Sequence, residues 1–226
     1  MCIICVKKRG VELPTEEQIR TMFTRNSHGG GYMYARNGKV ECHKGFMNVE
    51  EMLNSIKEEK FTNDDVVAFH FRIGTQGANS PQLTHPYPYT EKYEQCFHLD
   101  YLTNLGIMHN GIIPLTSTGK KDVKTNDTID FITQYLVKLI RTEEDLFDKK
   151  IHKMIESLTN SKWCLMNGKG DIITIGNFIE EKNGLLFSNN TYKEYKSYWY
   201  LEDDDDYYSK NYWKNYYAEL KKKKKK

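Results

Sequence analysis

Apolar and polar positions alternate in short blocks along the chain, and the blocks change period. Cys2 to Lys7 is a run of β-branched and cysteine residues that ends in charge, and it predicts a short buried strand. Thr15-Glu16-Glu17-Gln18 after Pro14 has the form of a capping box and opens a helix to about Phe23. Tyr32–Arg36 and Lys39–Phe46 flank Asn37-Gly38, the strongest short signal for a hairpin. Asn48 can cap a helix to about Lys60, with Val49, Met52, Leu53 and Ile56 on one face. Val66–Ile73 and Leu105–His109 read as apolar strands. Between them, Gly74–Thr90 carries three prolines and two glycines and reads as a long loop, the kind that is usually functional.

Thr125 or Asn126 is placed to cap a helix to about Ile140, with Ile129, Ile132, Leu136 and Leu139 along its face, and Glu143–Leu158 predicts another helix. Strands at Trp163–Met166, Asp171–Ile175 and Leu185–Phe187 follow, around Gly168 and Gly184. Strands come in hairpins and helices in separate pairs, so the pattern predicts an α+β fold with antiparallel sheets and no internal repeat.

The 226 residues suit one domain with an appendage. The net charge of +2 is uneven: half of the 16 tyrosines, an acidic run and six terminal lysines lie beyond Lys193, and without them the body is near neutral. The organisation expected is a domain over 1–192 and a tail over 193–226. Tyr208, Tyr212 and Tyr216 at helical spacing allow the tail a short amphipathic helix. It can pack on the domain, dock a partner subunit, or, through aromatics and lysines, touch nucleic acid; the near-neutral body offers no footprint for nucleic acid elsewhere. No apolar run approaches the ~18 residues of a membrane span. The opening MCIICV is too short for a signal peptide, and five cysteines without framework spacing fit a reducing cytoplasm.

Candidate chemistry starts at Cys2. Removal of Met1 would leave a thiol and a free α-amine on one carbon, so the amine can take the thiol proton near neutral pH: a nucleophile with its own base. Alone, a second-position cysteine is more often a small buried strand residue. Cys2-x-x-Cys5 with Cys42-His43 does not make a metal site, because each pair points to opposite faces of its strand. No metal and no cofactor is expected. Arg72, at the end of a buried strand and entering a glycine-containing turn, has the rigid fork that suits a carboxylate, whether a ligand's or the protein's own. His109-Asn110-Gly111 ends a strand in a tight turn that can aim the Asn110 amide and the Gly111 N–H at one point, as an oxyanion requires, or can be an ordinary turn. Asp127 at a helix start is in any case a good partner for the helix dipole.

Taken in order, Cys2, RNSHGGGYMY, AFHFRIGTQG, THPY, HNGII and TNDTIDF resemble the class II glutamine amidotransferase domain of the N-terminal-nucleophile hydrolases. The resemblance runs from Cys2 to about Phe131, and less distinctly to Ser188-Asn189. It implies a four-layer αββα sandwich of two antiparallel sheets. It implies that Cys2 attacks the glutamine side-chain amide, releasing ammonia and leaving a thioester that water hydrolyses. By the same resemblance Asn110 and Gly111 form the oxyanion hole, Arg72 holds the substrate α-carboxylate, Asp127 holds its α-ammonium, Thr75 and Gln76 line the glutamine pocket and His85 borders it. A zwitterionic amino acid needs one fixed cation and one fixed anion, and Arg72 and Asp127 supply them. His28 departs from the pattern, standing where the family's glycine-rich turn usually carries Asp. Two other readings stand beside this one: hydrolysis of a different γ-glutamyl amide, and a non-catalytic binding subunit of the same fold. A chain of this length has no room for a synthase domain as well, so any ammonia acceptor is expected on another protein.

Overall fold

The computed structural model describes residues 2–120 and 124–193. Apart from Lys193, the tail reading therefore falls outside the described residues.

Five strands and two helices come first along the described chain. These are β1 (Ile3–Lys7), α1 (Glu16–Arg25), β2 (Gly30–Arg36), β3 (Lys39–Phe46), α2 (Val49–Glu58), β4 (Val67–Phe71) and β5 (Tyr87–Pro88). They are followed by β6 (Asp100–Thr103), β7 (Leu105–Asn110), α3 (Asp127–Phe131), α4 (Val137–Leu139), α5 (Glu143–Phe147), α6 (Lys149–Thr159), β8 (Lys162–Asn167), β9 (Ile172–Ile175), β10 (Ile179–Glu180) and β11 (Leu186–Phe187). The strands form two sheets with antiparallel neighbours: β10-β11-β1-β4-β2-β3-β6, and β5-β7-β8-β9. The α+β expectation with antiparallel sheets holds.

The local signals explain most elements. Thr15 and Gln18 close the capping box in both directions, at 3.2 and 3.0 Å. Asn37 and Gly38 both take positive φ, 54° and 76°, the backbone that a two-residue hairpin turn needs. Asn48 and Asn126 cap α2 and α3 through their side-chain oxygens.

Three hydrophobic clusters order the layers. On the first sheet Ile3, Cys5, Tyr32, Phe69 and Phe71 face α1 and α2, meeting Met22, Met52 and Leu53. The alternate residues Ile4, Val6, Met33 and Ala68 meet Met108, Cys164 and Met166 of the second sheet. The far face of that sheet packs Ile107, Trp163 and Leu165 against Ile129, Phe131 and Ile155. Central strands buried on both faces explain why β1 and β4 read as continuous apolar runs rather than alternating ones.

Two helices differ from expectation. The stretch after Asn126 is α-helical only to Phe131; Ile132–Leu136 widens to a π-helix before α4. Thr133 Oγ1 donates to the Ile129 carbonyl at 3.0 Å, a side-chain competitor for a ladder acceptor at that point. The expected helix Glu143–Leu158 is two, because Asp148 is extended (ψ 115°), ends α5 and caps α6 by accepting the Lys150 N–H at 2.7 Å. The Gly74–Thr90 segment also carries a 3-10 turn at Pro81–Leu83 and the short strand β5.

Candidate functional site

Antiparallel pairing of β1 with β4 sets Ile3 opposite Phe71, so the residue before β1 and the residues after β4 must meet. Cys2 accordingly lies against Ile73: its Sγ accepts the Ile73 N–H at 3.3 Å and lies 3.5 Å from the Ile73 carbonyl. Burial raises the Cys2 thiol pKa, opposed by the Ile73 N–H and the positive charge of Arg72. The other side of β1 is fixed by the residues after β11. Ser188 Oγ accepts the Ile4 N–H at 2.8 Å, and Asn189 Nδ2 donates to the Cys2 carbonyl at 2.6 Å.

One small cavity is lined by Cys2, Arg72, Ile73, Gly74, Thr75, Gln76, His85, His109, Gly111, Asn126, Asp127 and Thr128. Seven of the eight site residues read from the sequence are thus brought together. The eighth, Asn110, is not in the lining; its amide meets Ser188 at 2.8 Å. A larger groove beside α1 and Tyr192 collects none of the site residues.

Arg72 is 3% exposed, and among the described residues no carboxylate pairs with it. Its Nη2 donates to the Gln76 carbonyl at 3.1 Å, and Nη1 has no partner. The guanidinium folds over Gly74, where a Cβ would stand 2.7 Å from Nη2, so a side chain at that position would push the guanidinium aside. A buried guanidinium without its own carboxylate favours the ligand reading of this arginine over the internal ion pair.

Asp127, at the first turn of α3, is 6% exposed. Its carboxylate accepts the Ile113 N–H at 2.8 Å and the Thr128 N–H at 3.0 Å. Burial raises its pKa, and those two N–H groups oppose the rise. No cation is paired with it among the described residues. The cavity therefore carries one buried cation and one buried acid, each without a protein counter-charge.

Three buried histidines stand around this cavity. His70 Nε2 meets the His109 carbonyl at 2.9 Å and so ties the two sheets together. His85 lies 4.1 Å from the His70 ring, and neither of its nitrogens has a partner. Burial lowers the pKa of all three, to about 3 for His70 and His109, which leaves the rings neutral. The loop that carries His85 is held by Lys44, whose buried Nζ donates to the Gln82 and Cys96 carbonyls at 2.9 and 2.6 Å over the face of Tyr87.

The oxyanion corner is less simple than its sequence suggests. Gly111 cannot carry a side chain, since a Cβ there would overlap Ser161. Asn110 Nδ2 donates to Ser188 Oγ, while its buried Oδ1 has no partner. Oxygen and nitrogen of such an amide are assigned from the hydrogen-bond network. Half a turn of the amide lets the Ser188 hydroxyl, which already accepts from Ile4, donate to Oδ1, and it frees the NH2 group.

His109, Asn126 and Thr128 line the cavity and were not among the site residues read from the sequence. His109 Nδ1 meets Thr128 Oγ1 at 2.8 Å, and its Nε2 is buried without a partner. A histidine closing an otherwise apolar strand beside an Asn-Gly corner was the available signal. Among the described residues no group of three or more His, Cys, Asp or Glu could hold a metal ion, and no helix is long and apolar enough to cross a membrane. No family model matches the chain, and no curated protein matches it.

Proposed function

We propose that this protein hydrolyses the side-chain amide of glutamine, in the manner of a class II glutamine amidotransferase domain with the αββα architecture of N-terminal-nucleophile hydrolases. What carries the reading is the convergence of the Cys2 thiol with two buried, uncompensated charges, Arg72 and Asp127, in one cavity. A free amino acid presents the complementary pair of charges at its α-carbon and extends an amide toward the thiol.

The chemistry requires Cys2 to be the terminal residue. Its α-amine then takes the thiol proton, and the sulfur attacks the amide carbon. The Gly111 N–H and the Asn110 NH2, in its exchanged orientation, receive the charge that develops on oxygen. Collapse of the tetrahedral adduct expels ammonia, which carries the proton relayed by the amine. The γ-glutamyl thioester is cleaved by water, with the same amine as base, to give glutamate and restore the thiol. An ordinary thiol, with a pKa of about 8.5, is mostly protonated at neutral pH, so the adjacent amine supplies the base that forms the thiolate.

The deciding measurement is release of ammonia and glutamate from glutamine, run beside a panel of other γ-glutamyl amides. Intact mass reports whether Met1 is removed. Glutamine turnover that disappears in Cys2→Ala while the thermal transition stays put supports the proposal. Wild-type turnover in Cys2→Ala, or retention of Met1 in active protein, refutes the nucleophile. Preference for another amide reassigns the substrate without changing the chemistry.

A further inference from the structure

Gln76 stands between the cavity and the segment 113–120, and it is bonded on both sides. Its Oε1 accepts the Ser117 hydroxyl at 2.9 Å, the Thr118 N–H at 2.6 Å and the Gly119 N–H at 3.2 Å. Its carbonyl accepts Arg72 Nη2, and the next residue, Gly77, donates its N–H to the Lys120 carbonyl at 3.0 Å. The near end of the segment is fixed by the site's acid: Ile113 N–H donates to the Asp127 carboxylate and Thr116 Oγ1 to the Asp127 carbonyl, both at 2.8 Å. The segment is thus strapped to Gln76 at one end and to Asp127 at the other, and both residues line the cavity.

The amide of Gln76 is only half used. Three donors saturate Oε1, yet Nε2 is buried without an acceptor in a residue 3% exposed. A buried amide N–H without an acceptor is unfavourable, and a ligand oxygen relieves it. Arg72 Nη1, in the same cavity, lacks a partner in the same way.

We infer that Gln76 is a two-sided clamp: its Oε1 holds the strap 113–120 down, and its NH2 group donates to the α-carboxylate of the bound amino acid beside Arg72. One side chain then orders for both contacts, and each contact polarises the amide in the sense that strengthens the other. Ligand binding and strap closure are coupled, and by linkage the coupling runs in both directions. The inference rests on the reading of the cavity as an amino-acid site.

The test is amide hydrogen exchange at Thr118 and Gly119, whose N–H groups bond Gln76 directly, with and without saturating glutamate, together with calorimetric binding of glutamate and KM for glutamine. In the wild-type chain glutamate is expected to slow exchange at both amides by about tenfold, one hydrogen bond's worth. Gln76→Ala exchanges fast at both positions, with or without ligand. Gln76→Glu keeps an oxygen for Thr118 and Gly119, so its ligand-free protection persists, while its carboxylate repels the ligand and raises KM by at least about tenfold. Glutamate that binds the wild-type chain without slowing Thr118 and Gly119 overturns the clamp, as does a Gln76→Glu variant with wild-type KM. If neither glutamate nor glutamine binds the wild-type chain, the amino-acid reading of the cavity falls and the coupling with it. Ligand-free exchange in Gln76→Ala against wild type then reports on the Oε1 contacts alone.

Discussion

His28 Nδ1 accepts the main-chain N–H of Gly74 at 2.9 Å. The contact does not stand alone, for the His28 N–H donates to the Arg72 carbonyl at 2.9 Å and the Arg72 N–H to the Gly29 carbonyl at 2.8 Å. The turn before β2 is therefore laced to the residues that carry the buried guanidinium. The imidazole thus supplies the acceptor that pins the Gly74 N–H to this turn.

That contact is testable by acceptor replacement. His28→Ala removes the acceptor from Gly74 and is expected to lower kcat/KM for glutamine about tenfold, the effect of one net hydrogen bond near 1.4 kcal/mol. His28→Asp and His28→Asn restore an oxygen and should stay within a few-fold of wild type. Equal losses in all three variants would show that the ring acts otherwise.

Arg72→Lys keeps the charge but loses the planar fork. The expected outcome is a rise in KM for glutamine of roughly tenfold to a hundredfold, corresponding to about 1.5–3 kcal/mol for a charge-assisted contact, with a smaller change in kcat. Steady-state kinetics decides it, and an unchanged KM places the α-carboxylate elsewhere.

Asp127 gives the pH dependence of binding. Only the ionised carboxylate holds an ammonium group, and burial sets its pKa above the ordinary aspartate value of 3.8. Affinity for glutamine is therefore expected to fall on acidification, beginning at a higher pH than for an ordinary aspartate. Asp127→Asn should bind weakly at every pH with that dependence gone. A wild-type KM flat down to the ordinary carboxylate range would contradict the assignment.

Lys44 gives a pH dependence of stability. Burial lowers its pKa from 10.5 to about 7. Between those values the unfolded chain binds a proton that the folded chain does not, so this residue makes stability rise with pH upward from about 7. Denaturant unfolding at pH 7 and 8.5 should show the slope in wild type, and Lys44→Met should lack it. The substitution also strands the Gln82 and Cys96 carbonyls, at a cost of about 1–3 kcal/mol.

The fold was legible where local chemistry and tertiary packing agree. The capping box at Thr15, the Asn37-Gly38 hairpin and the doubly buried β1 and β4 each carry their signal in adjacent residues. The strands β5, β6 and β10 escaped because two- to four-residue edge strands owe their pairing to partners distant in sequence. Asp148 was invisible as a break because its capping role depends on one ψ angle inside an otherwise helical pattern. Of the candidate site, Cys2, Arg72 and Asp127 were legible as positions in motifs. Their lack of internal partners was not, since only packing shows that Arg72 and Asp127 are buried and uncompensated. The clamp at Gln76 was equally hidden, because its three donors come from Ser117, Thr118 and Gly119, some 40 residues along the chain.

The hold of Asn189 on the Cys2 carbonyl joins groups 187 positions apart. A ribosome delivers the amino end first, so the thiol enters the cell long before the residues that seat it. A nascent chain halted before β11 carries the Cys2 thiol but not the Ser188 and Asn189 contacts that place it. The surroundings of the Cys2 thiol are therefore completed only when the last strand of the described domain and the two residues after it have been made.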